Sequence, residues 1–332
     1  MTARPDVAAA RATSSAQQQH WSRREAPPVE QVRPGLWAVP VPAPGNPIRF
    51  TYCYVIPADQ GAIVLDPGAD SAESWRTLTG ALDRLGVTSV QGIVVSHFHF
   101  DHWQLADRLS SAFGAWVALS RAEYSWIAAL EGADLAMEAR ERFRSWGVPA
   151  GEVEELVATE DYGEGLHYGT PDLLFEDGET VPGIPGLRVL VTPGHSPGHL
   201  CLYDEDRDLV FSGDHVLPRI TPYVAMNPYG PANPLRGYLD SLHRLRRYAS
   251  AEVLPAHEYR FTGLPERITE LETAVAHRLR EVREAVARDR LASPWAVAHQ
   301  LTWSRNWQRF NPQARKMALS ETVAHLALLA ER

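Results

Sequence analysis

Cysteine is nearly absent from this 332-residue sequence, which contains only Cys53 and Cys201. Two cysteines can build neither a disulfide scaffold nor a cysteine-rich zinc site. Long apolar runs are lacking as well, and none approaches the ~20 residues that span a bilayer. Near the start, the apolar run Val7–Ala10 is too short for the core of a signal peptide. The sequence therefore predicts a soluble, cytoplasmic protein without a membrane partner.

An excess of positive charge is also lacking, because 32 Lys and Arg stand against 41 Asp and Glu, for a net charge of −9. A surface that binds nucleic acid through its phosphates carries the opposite excess, so the composition disfavours a nucleic-acid partner. The one basic cluster, Arg236, Arg244, Arg246 and Arg247, is interpreted either as a solvated helix face or as a patch for phosphate or CoA. The 45% of hydrophobic and 22% of charged residues otherwise indicate a globular protein.

Strand and helix patterns alternate in the first part of the chain. Strand-like runs at 50–56 and 62–65 precede a predicted helix at 72–85, and a second strand-rich stretch covers 187–211. This alternation predicts a layered α/β protein. Residues 1–33 show no apolar period and are predicted to form a mobile N-terminal tail.

Two helical segments interrupt the alternation. Residues 121–156 are predicted to be helical and carry more aromatic side chains than a surface helix needs. Residues 265–332 predict a C-terminal helical subdomain, in which Ser293 caps a helix that begins at Pro294. The α/β domain would then span 34–264.

The most informative stretch follows a buried-looking strand and reads Ser96-His97-Phe98-His99-Phe100-Asp101-His102. Three imidazoles and a carboxylate within six residues form a dense group of metal ligands. In an extended segment His97 and His99 point the same way and can share one cation. Asp101 and His102, past a turn, can face a second one. The alternative is that these are hydrogen-bonded surface histidines. That alternative is reasonable for one histidine but not for four ligand-type residues this close together.

Three later loops add candidate ligands, each close to the end of a strand-like run. They are His195 in Pro193-Gly194-His195, Asp214 in Ser212-Gly213-Asp214, and His257 in Pro255-Ala256-His257. Active sites tend to be assembled from side chains on loops that a rigid sheet holds in place.

Together these elements resemble the metallo-β-lactamase-fold hydrolase superfamily, and within it the lactamase-like-2 and glyoxalase II-like branch. The matching elements are the HxHxDH motif at His97–His102, PGH at His195, SGD at Asp214, the final His257, and Leu65-Asp66-Pro67-Gly68. The resemblance covers about residues 35–260 and implies an αββα sandwich with a dinuclear metal site at the strand ends.

The resemblance also implies how the ligands divide. The first metal would take His97, His99 and His195. The second would take Asp101, His102 and His257, and Asp214 would bridge both. Zinc is the default metal for nitrogen and carboxylate ligands with open positions, although iron or manganese tolerates the same set. This ligand set is similar to that of thioesterases, lactonases and metal-dependent nucleases rather than of true β-lactamases.

Other residues near the motifs are candidates for catalysis or support. Asp101, already a candidate metal ligand, is also a candidate catalytic residue. His215 could orient a metal ligand or donate to a substrate, and Tyr223 could carry its phenol to a substrate oxyanion. A structural role is the alternative for both. By the family pattern, His199 is expected to support the site rather than bind metal. Asp66 could hydrogen-bond a ligating imidazole or only fix a turn.

In this superfamily, the insertion 121–156 would lie across the active-site face as a lid, and its aromatics would favour an apolar acyl or aromatic substrate portion. The alternative is that they pack against the core. The segment from Ser293 to Arg332 resembles the small winged-helix-like appendage of lactamase-like-2 relatives.

The leading hypothesis from the sequence is a dinuclear metal-dependent hydrolase whose bridging hydroxide attacks a thioester, a lactone or a related acyl bond. Its substrate would be a small acyl compound, either free or linked to CoA or a carrier protein. The alternatives are a metal-dependent endoribonuclease or phosphodiesterase, a mononuclear iron dioxygenase, and a non-enzymatic binding protein. The natural substrate, the metal and the oligomeric state stay open.

Overall fold

Two β-sheets form the centre of the computed structural model, which describes residues 10–131, 133–160, 169–288 and 292–331. The first sheet contains, in spatial order, β2 (Glu30–Arg33), β3 (Leu36–Pro42), β4 (Phe50–Ala58), β5 (Gly61–Leu65), β6 (Val90–Val94), β7 (Trp116–Ser120) and β8 (Leu173–Phe175). The second contains β1 (Arg11–Ala12), β13 (Phe261–Thr262), β12 (Glu252–Pro255), β11 (Leu209–Gly213), β10 (Leu200–Asp204) and β9 (Leu187–Val191).

Helices alternate with some of the strands and make up the C-terminal region. They are α1 (Ser15–Arg23), α2 (Ala72–Arg84), α3 (Phe100–Trp103), α4 (Ala106–Phe113), α5 (Arg121–Leu130), α6 (Leu135–Ser145), α7 (Ala150–Val157), α8 (Pro234–Leu245), α9 (Leu264–Arg288), α10 (Pro294–Gln300) and α11 (Pro312–Ala330). The Ser293 hydroxyl accepts a hydrogen bond from the Ala296 amide at 3.3 Å, so the predicted cap of α10 is confirmed. None of the helices within the described ranges is long and apolar enough to cross a membrane.

The two sheets stack face to face, with helices on both outer faces. Between them, the rings of Tyr54 on β4 and Phe211 on β11 are 5.2 Å apart. Leu82 of α2 and Leu109 of α4 are buried on the outer face of the first sheet. Ile268 of α9 is buried, with residues of α8, on the outer face of the second. The predicted αββα layering is therefore confirmed.

The topology brings the carboxyl ends of several strands to one edge of the sandwich. β5 and β6 are parallel, and β11 and β12 are also parallel, so the loops that follow each pair emerge on the same side. A backbone hydrogen bond of 3.0 Å from Leu200 N to Ser96 O joins the loop after β6 to the start of β10 in the other sheet. The histidine-rich segment and the three later loops all meet at this edge.

Residues 10–33 are ordered, and the prediction of a mobile tail is wrong for them; residues 1–9 lie outside the described ranges. β1 pairs with β13, β2 pairs with β3, and Ser14 caps α1. Arg260 donates to Glu30 at 2.7 Å and thereby ties this segment to the second sheet. The sequence did not reveal this order because polar partners more than 200 residues away hold the segment, and it has no apolar period of its own.

The helical insertion and the C-terminal region pack against each other. Phe143 of α6 is buried in a cluster with Trp295 of α10 and Leu319 of α11. The helical character of the C-terminal region is confirmed, with α9 beginning at Leu264. Its described residues, 264–288 and 292–331, include no strand, so they contain no β-wing of the kind that a winged helix would have.

Candidate metal centre

The first group of potential metal ligands joins three histidines and one aspartate. His97 and His99 follow β6, His195 lies in the loop after β9, and Asp214 follows β11. His195 Nε2 is 3.2 Å from His97 Nε2, 3.0 Å from His99 Nδ1 and 3.6 Å from Asp214 Oδ2. Nitrogen ligands at about 2.0–2.1 Å from a tetrahedral zinc ion are about 3.3 Å apart. This spacing fits one small cation.

The second group consists of Asp101, His102 and His257. His257 Nε2 is 3.6 Å from Asp101 Oδ2, and His102 Nε2 is 3.9 Å from the same oxygen. The other oxygen of Asp214, Oδ1, is 3.1 Å from His257 Nε2 and 3.8 Å from His102 Nε2. The carboxylate of Asp214 therefore lies between the two groups, with one oxygen towards each.

Hydrogen bonds on the far side of the rings determine which nitrogen of each histidine carries the proton. His195 Nδ1 donates to Tyr223 O at 2.7 Å, and His257 Nδ1 donates to Phe50 O at 3.0 Å. His102 Nδ1 donates to the carboxylate of Asp66 at 2.9 Å. When these rings are neutral, each Nε2 keeps its lone pair and faces the ligand groups, as metal binding requires.

Within the described residues, the buried His102 Nε2 has no hydrogen-bond partner, and the buried His257 Nε2 and Asp214 Oδ1, 3.1 Å apart, have none besides each other. Buried polar atoms are rarely left unsatisfied, since each costs about 1–3 kcal/mol. Divalent cations are natural partners for imidazole nitrogens and carboxylate oxygens, so the residues present fit a metal site.

The electrostatics of three of the ligands, His97, His99 and Asp214, suit the same interpretation. Burial, with the neighbouring imidazoles, holds the pKa values of His97 and His99 well below the usual range, which keeps both rings neutral for binding. Burial raises the pKa of Asp214, but the imidazoles of His257 and His102 outweigh it and bring that pKa well below its usual range. Asp214 is thus a carboxylate at neutral pH.

Two residues support the metal ligands through hydrogen bonds, as the sequence analysis considered for both. Asp66 accepts from Ser96 N and Ser96 Oγ, both at 2.7 Å, as well as from His102, so it both fixes the turn and orients an imidazole. His199 is outside both ligand groups. Its Nε2 accepts from the backbone N–H of Asp214 at 3.2 Å, and its Nδ1 lies 2.9 Å from the Thr192 hydroxyl. It therefore supports the ligand Asp214.

Glu123 is a supporting residue that the sequence analysis missed. Its fully buried carboxylate accepts from Phe98 N at 2.9 Å, from Ser196 Oγ at 2.9 Å and from Gly198 N at 2.6 Å. Burial raises the pKa of Glu123 to about 7, although the three hydrogen bonds oppose that rise. The residue ties the loop of His97 and His99 to the loop of His195. Its sequence signal is Ser120-Arg121-Ala122-Glu123, which is typical of a capping box.

The two non-ligand candidates for catalysis lie in different environments. His215 is fully buried, its ring packs between those of His199 and Tyr238 at 5.6 and 4.9 Å, and burial lowers its pKa to about 3. It does not line the cavity at the metal ligands, so the structure does not place it against a substrate. Tyr223 does line this cavity, and its hydroxyl donates to Met317 O at 3.2 Å.

A cavity of about 340 Å³ opens at the ligand groups, a volume in the range of small-molecule sites. Ligands from both groups line it, including His99, Asp101, His195 and Asp214. Its apolar wall is made by Ile48, Phe98, Phe100, Leu217, Ile220, Met226 and Met317. The arrangement could hold an apolar group beside a metal centre.

The aromatics of the helical insertion pack in the interior instead of lining this cavity. Trp126 stacks on Phe98 with ring centroids 4.5 Å apart and donates its indole N–H to Pro228 O at 2.7 Å. Phe143 and Trp146 belong to the cluster with α10 and α11. The cavity wall receives Arg142 from the insertion itself.

The basic cluster of the sequence is largely neutralised. Arg236 pairs with Glu331, Arg244 with Asp177, and Arg246 with Glu272, at 3.2, 2.7 and 2.7 Å. These exposed pairs favour the solvated helix face over a patch for phosphate or CoA.

The sequence-family model of the metallo-β-lactamase superfamily matches residues 46–257, more than half of the chain. A probable metallo-hydrolase of Bacillus subtilis is 30% identical over 171 residues, which are 52% of this chain and 68% of that protein. The atrochrysone carboxyl ACP thioesterase of Paecilomyces divaricatus is 33% identical over 179 residues, 50% of this chain and 53% of that protein. The crystal structure of a β-lactamase domain protein from Burkholderia ambifaria superposes with a TM-score of 0.78 at 27% identity, covering 91% of this chain and 89% of that one. With the fold and the ligand loops as described, this protein belongs to the metallo-β-lactamase superfamily of metal-dependent hydrolases.

Proposed function

We propose that this protein is a dinuclear metal-dependent hydrolase that cleaves an acyl thioester or lactone. The observation that carries the proposal is the position of Asp214, whose two oxygens each face a different ligand group at 3.1–3.8 Å. One carboxylate so placed offsets part of the repulsion between two cations about 3.5–4 Å apart. Two divalent cations held there would supply a water-derived nucleophile at neutral pH and polarise the carbonyl of the substrate.

The residues around the ligands have distinct tasks in this proposal. Asn46 Nδ2 and Thr51 Oγ1 donate to Asp101 Oδ2 at 3.0 and 3.2 Å, which keeps the second ligand group assembled. Phe98 and Phe100 would hold the acyl portion and exclude bulk water from the reacting bond. Tyr223, on the same wall, would meet the substrate near the ligands.

Two observations support an acyl substrate over a phosphodiester. The wall of the cavity is predominantly apolar, and the charge of the chain is −9. The relative from Paecilomyces divaricatus is described as an ACP thioesterase, which supports a carrier-linked acyl substrate, although it and this chain match over only about half of each. A free or carrier-linked acyl compound is the substrate that we propose, and zinc the metal.

The test combines metal analysis of the purified protein with a panel of acyl thioesters, lactones, a β-lactam and a single-stranded RNA. We expect two metal ions per chain and hydrolysis of a thioester or lactone that chelation abolishes and zinc or manganese restores. One iron per chain with oxygen consumption would favour the dioxygenase alternative, and cleavage of RNA alone would favour the nuclease. Acyl hydrolysis that survives complete removal of metal would contradict the proposal.

A further inference from the structure

A second cavity, of about 420 Å³, opens next to the one at the metal ligands. Tyr223 and Met317 line both cavities, and the Tyr223 hydroxyl donates to Met317 O at 3.2 Å. Met317 is 38% exposed although it is apolar. The pair of Tyr223 and Met317 therefore forms the border between the two cavities, and a long ligand that crosses this border reaches both.

The wall of the second cavity combines cations with aromatic rings. Arg305 and Arg309 line it, and both side chains are exposed. Beside them lie Trp303 and Phe310, whose ring centroids are 6.3 Å apart. A ligand in this cavity would meet two guanidinium groups and two aromatic rings.

The charge of this wall is positive, in contrast to the net charge of −9 of the whole chain. Residues 292–320, which include both arginines, contain no Asp or Glu. Within the described residues that line the second cavity, Glu321 is the single carboxylate, and its Oε1 lies 3.5 Å from Arg278 Nε. A local positive field of this kind raises the concentration of anions near the wall.

Other side chains hold the loop that carries the two arginines. The indole N–H of Trp303 donates to Ala298 O at 2.8 Å, and Asn306 Oδ1 accepts from Gln308 N at 3.0 Å. The shape of the loop is therefore explained without the guanidinium groups. Their common position on the cavity wall is explained by a ligand.

We propose that the second cavity binds a nucleoside diphosphate portion on the thiol side of the substrate, as in an acyl-CoA. The proposal rests on the proposed function, because it identifies the thiol of the thioester that the metal centre would cleave. Arg305 and Arg309 would bind the phosphates, since guanidinium groups form bidentate, charge-assisted hydrogen bonds with phosphate. The base would stack on Trp303 or Phe310, and the uncharged pantetheine arm would cross the border into the metal cavity.

The size of the second cavity favours one nucleotide over a strand of nucleic acid. Its volume lies in the range of small-molecule sites, about 300–1,000 Å³. A single strand needs a positively charged groove that follows the backbone over about 4–16 nucleotides. The net charge of −9 also opposes binding of a polyanion.

The kinetic test compares thioesters of one acyl group with CoA, with 4′-phosphopantetheine and with pantetheine. In the metal-loaded protein we expect the lowest KM for the CoA thioester. The double variant Arg305→Met/Arg309→Met should raise this KM about tenfold, since each exposed ion pair contributes a factor of up to about five. KM for the pantetheine thioester and kcat for all three should change less than about twofold, because neither arginine lines the metal cavity.

Three controls sharpen the comparison. Arg283→Met removes an exposed cation of α9 that lines neither cavity, and it should leave all three KM values unchanged. Added salt should raise KM for the CoA thioester more in the wild type than in the double variant, because it screens the contacts with the arginines. Phe310→Leu keeps both cations but removes a ring, so it should raise KM for the CoA thioester and not for the phosphopantetheine thioester.

A binding measurement gives a result that does not depend on hydrolysis. Adenosine 3′,5′-bisphosphate has a base and phosphates but no thioester, and calorimetry should show that it binds the metal-loaded protein. The double variant should weaken this binding about tenfold, whereas Arg283→Met should not. Binding that the double variant leaves unchanged would place the nucleotide elsewhere, such as on the metal ions, and would overturn the proposed site.

The outcomes separate the two proposals. Thioester hydrolysis with equal KM for the CoA and pantetheine compounds, unaffected by the double variant, leaves the proposed function intact and overturns the nucleotide site. An effect of the double variant on the phosphopantetheine thioester as large as on the CoA thioester overturns the nucleotide in favour of a single phosphate. When no thioester is hydrolysed, the proposed function fails, and binding of the bisphosphate decides on the nucleotide site. A larger effect of the double variant on binding of a single-stranded RNA than on the bisphosphate overturns the nucleotide in favour of a strand.

Discussion

Replacement of Asp66 by asparagine should remove metal from the second ligand group and leave the first largely intact. Asp66 Oδ1 accepts from Ser96 N, and Oδ2 accepts from Ser96 Oγ and from His102 Nδ1. An asparagine with its oxygen towards Ser96 N presents an NH2 group to His102. His102 Nδ1 must then accept, which moves the proton to Nε2 and removes the lone pair that a metal needs.

The size of the effect follows from the same geometry. Loss of such an orienting partner lowers metal affinity about 10–100-fold, or about 1.4–2.7 kcal/mol. The opposite amide orientation keeps the bond to His102 but leaves the buried Ser96 N–H unsatisfied, which costs about 1–3 kcal/mol of stability. Asp66 has φ of +52°, and asparagine tolerates this left-handed conformation, so the backbone itself is not strained by the change.

The assay is calorimetric titration of the metal-free protein together with metal analysis after dialysis. Wild type should bind two ions per chain, and Asp66→Asn should keep one tightly bound ion with a weakened or lost second one. Asp204→Asn is the control, since Asp204 is equally buried but serves Arg207 at the far end of β10. Asp66→Asn with unchanged metal affinity and unchanged stability would refute the reasoning.

Three other changes test separate parts of the molecule. Asp214→Ala removes the oxygens that face both ligand groups, so metal analysis and hydrolysis assays should show both ions and turnover lost together; a variant that keeps two ions would exclude the bridging role. Glu123→Gln cannot accept from Phe98, Ser196 and Gly198 at once, so urea denaturation should show about 1–3 kcal/mol lower stability and a weaker hold on metal. An unchanged midpoint would show that Glu123 does not join the loops. Burial lowers the pKa of His325 to about 4, while the unfolded chain should have the usual value of about 6.5. The unfolded state therefore binds more protons between these values, and the unfolding free energy of the metal-loaded protein should fall from pH 6.5 to 4, by up to about 3 kcal/mol more than in His325→Gln. Parallel pH profiles of the two proteins would contradict this.

The metal ligands were accessible from the sequence because each lies in a short motif directly after a strand. Strand direction then determines where these loops emerge, and parallel pairing of β11 with β12 brings Asp214 and His257 to the same edge. The structure brings together the seven residues that the resemblance assigned, in the same two groups with Asp214 between them. A local sequence pattern was enough to predict the ligands because the order of the strands brings their loops together.

Supporting residues were harder to predict because their partners are distant in the sequence. Glu123 fits a helix N-cap pattern, and Ser120 does cap α5, but the carboxylate reaches the loops at Phe98 and Gly198 instead of the helix start. The order of residues 10–33 likewise depends on Arg260. Neither contact follows from periodicity or from local propensity.

Part of the cavity wall that would hold a substrate lies outside the part of the chain that carries the family resemblance. The superfamily match ends at residue 257, whereas Lys316 lies on α11 beyond it. Arg142 lies inside the matched range, but on a helical insertion rather than on a ligand loop. Relatives that share the metal ligands can therefore differ in the cavity wall that contacts the substrate. Similarity over the ligand loops supports the type of chemistry but does not identify the acyl group.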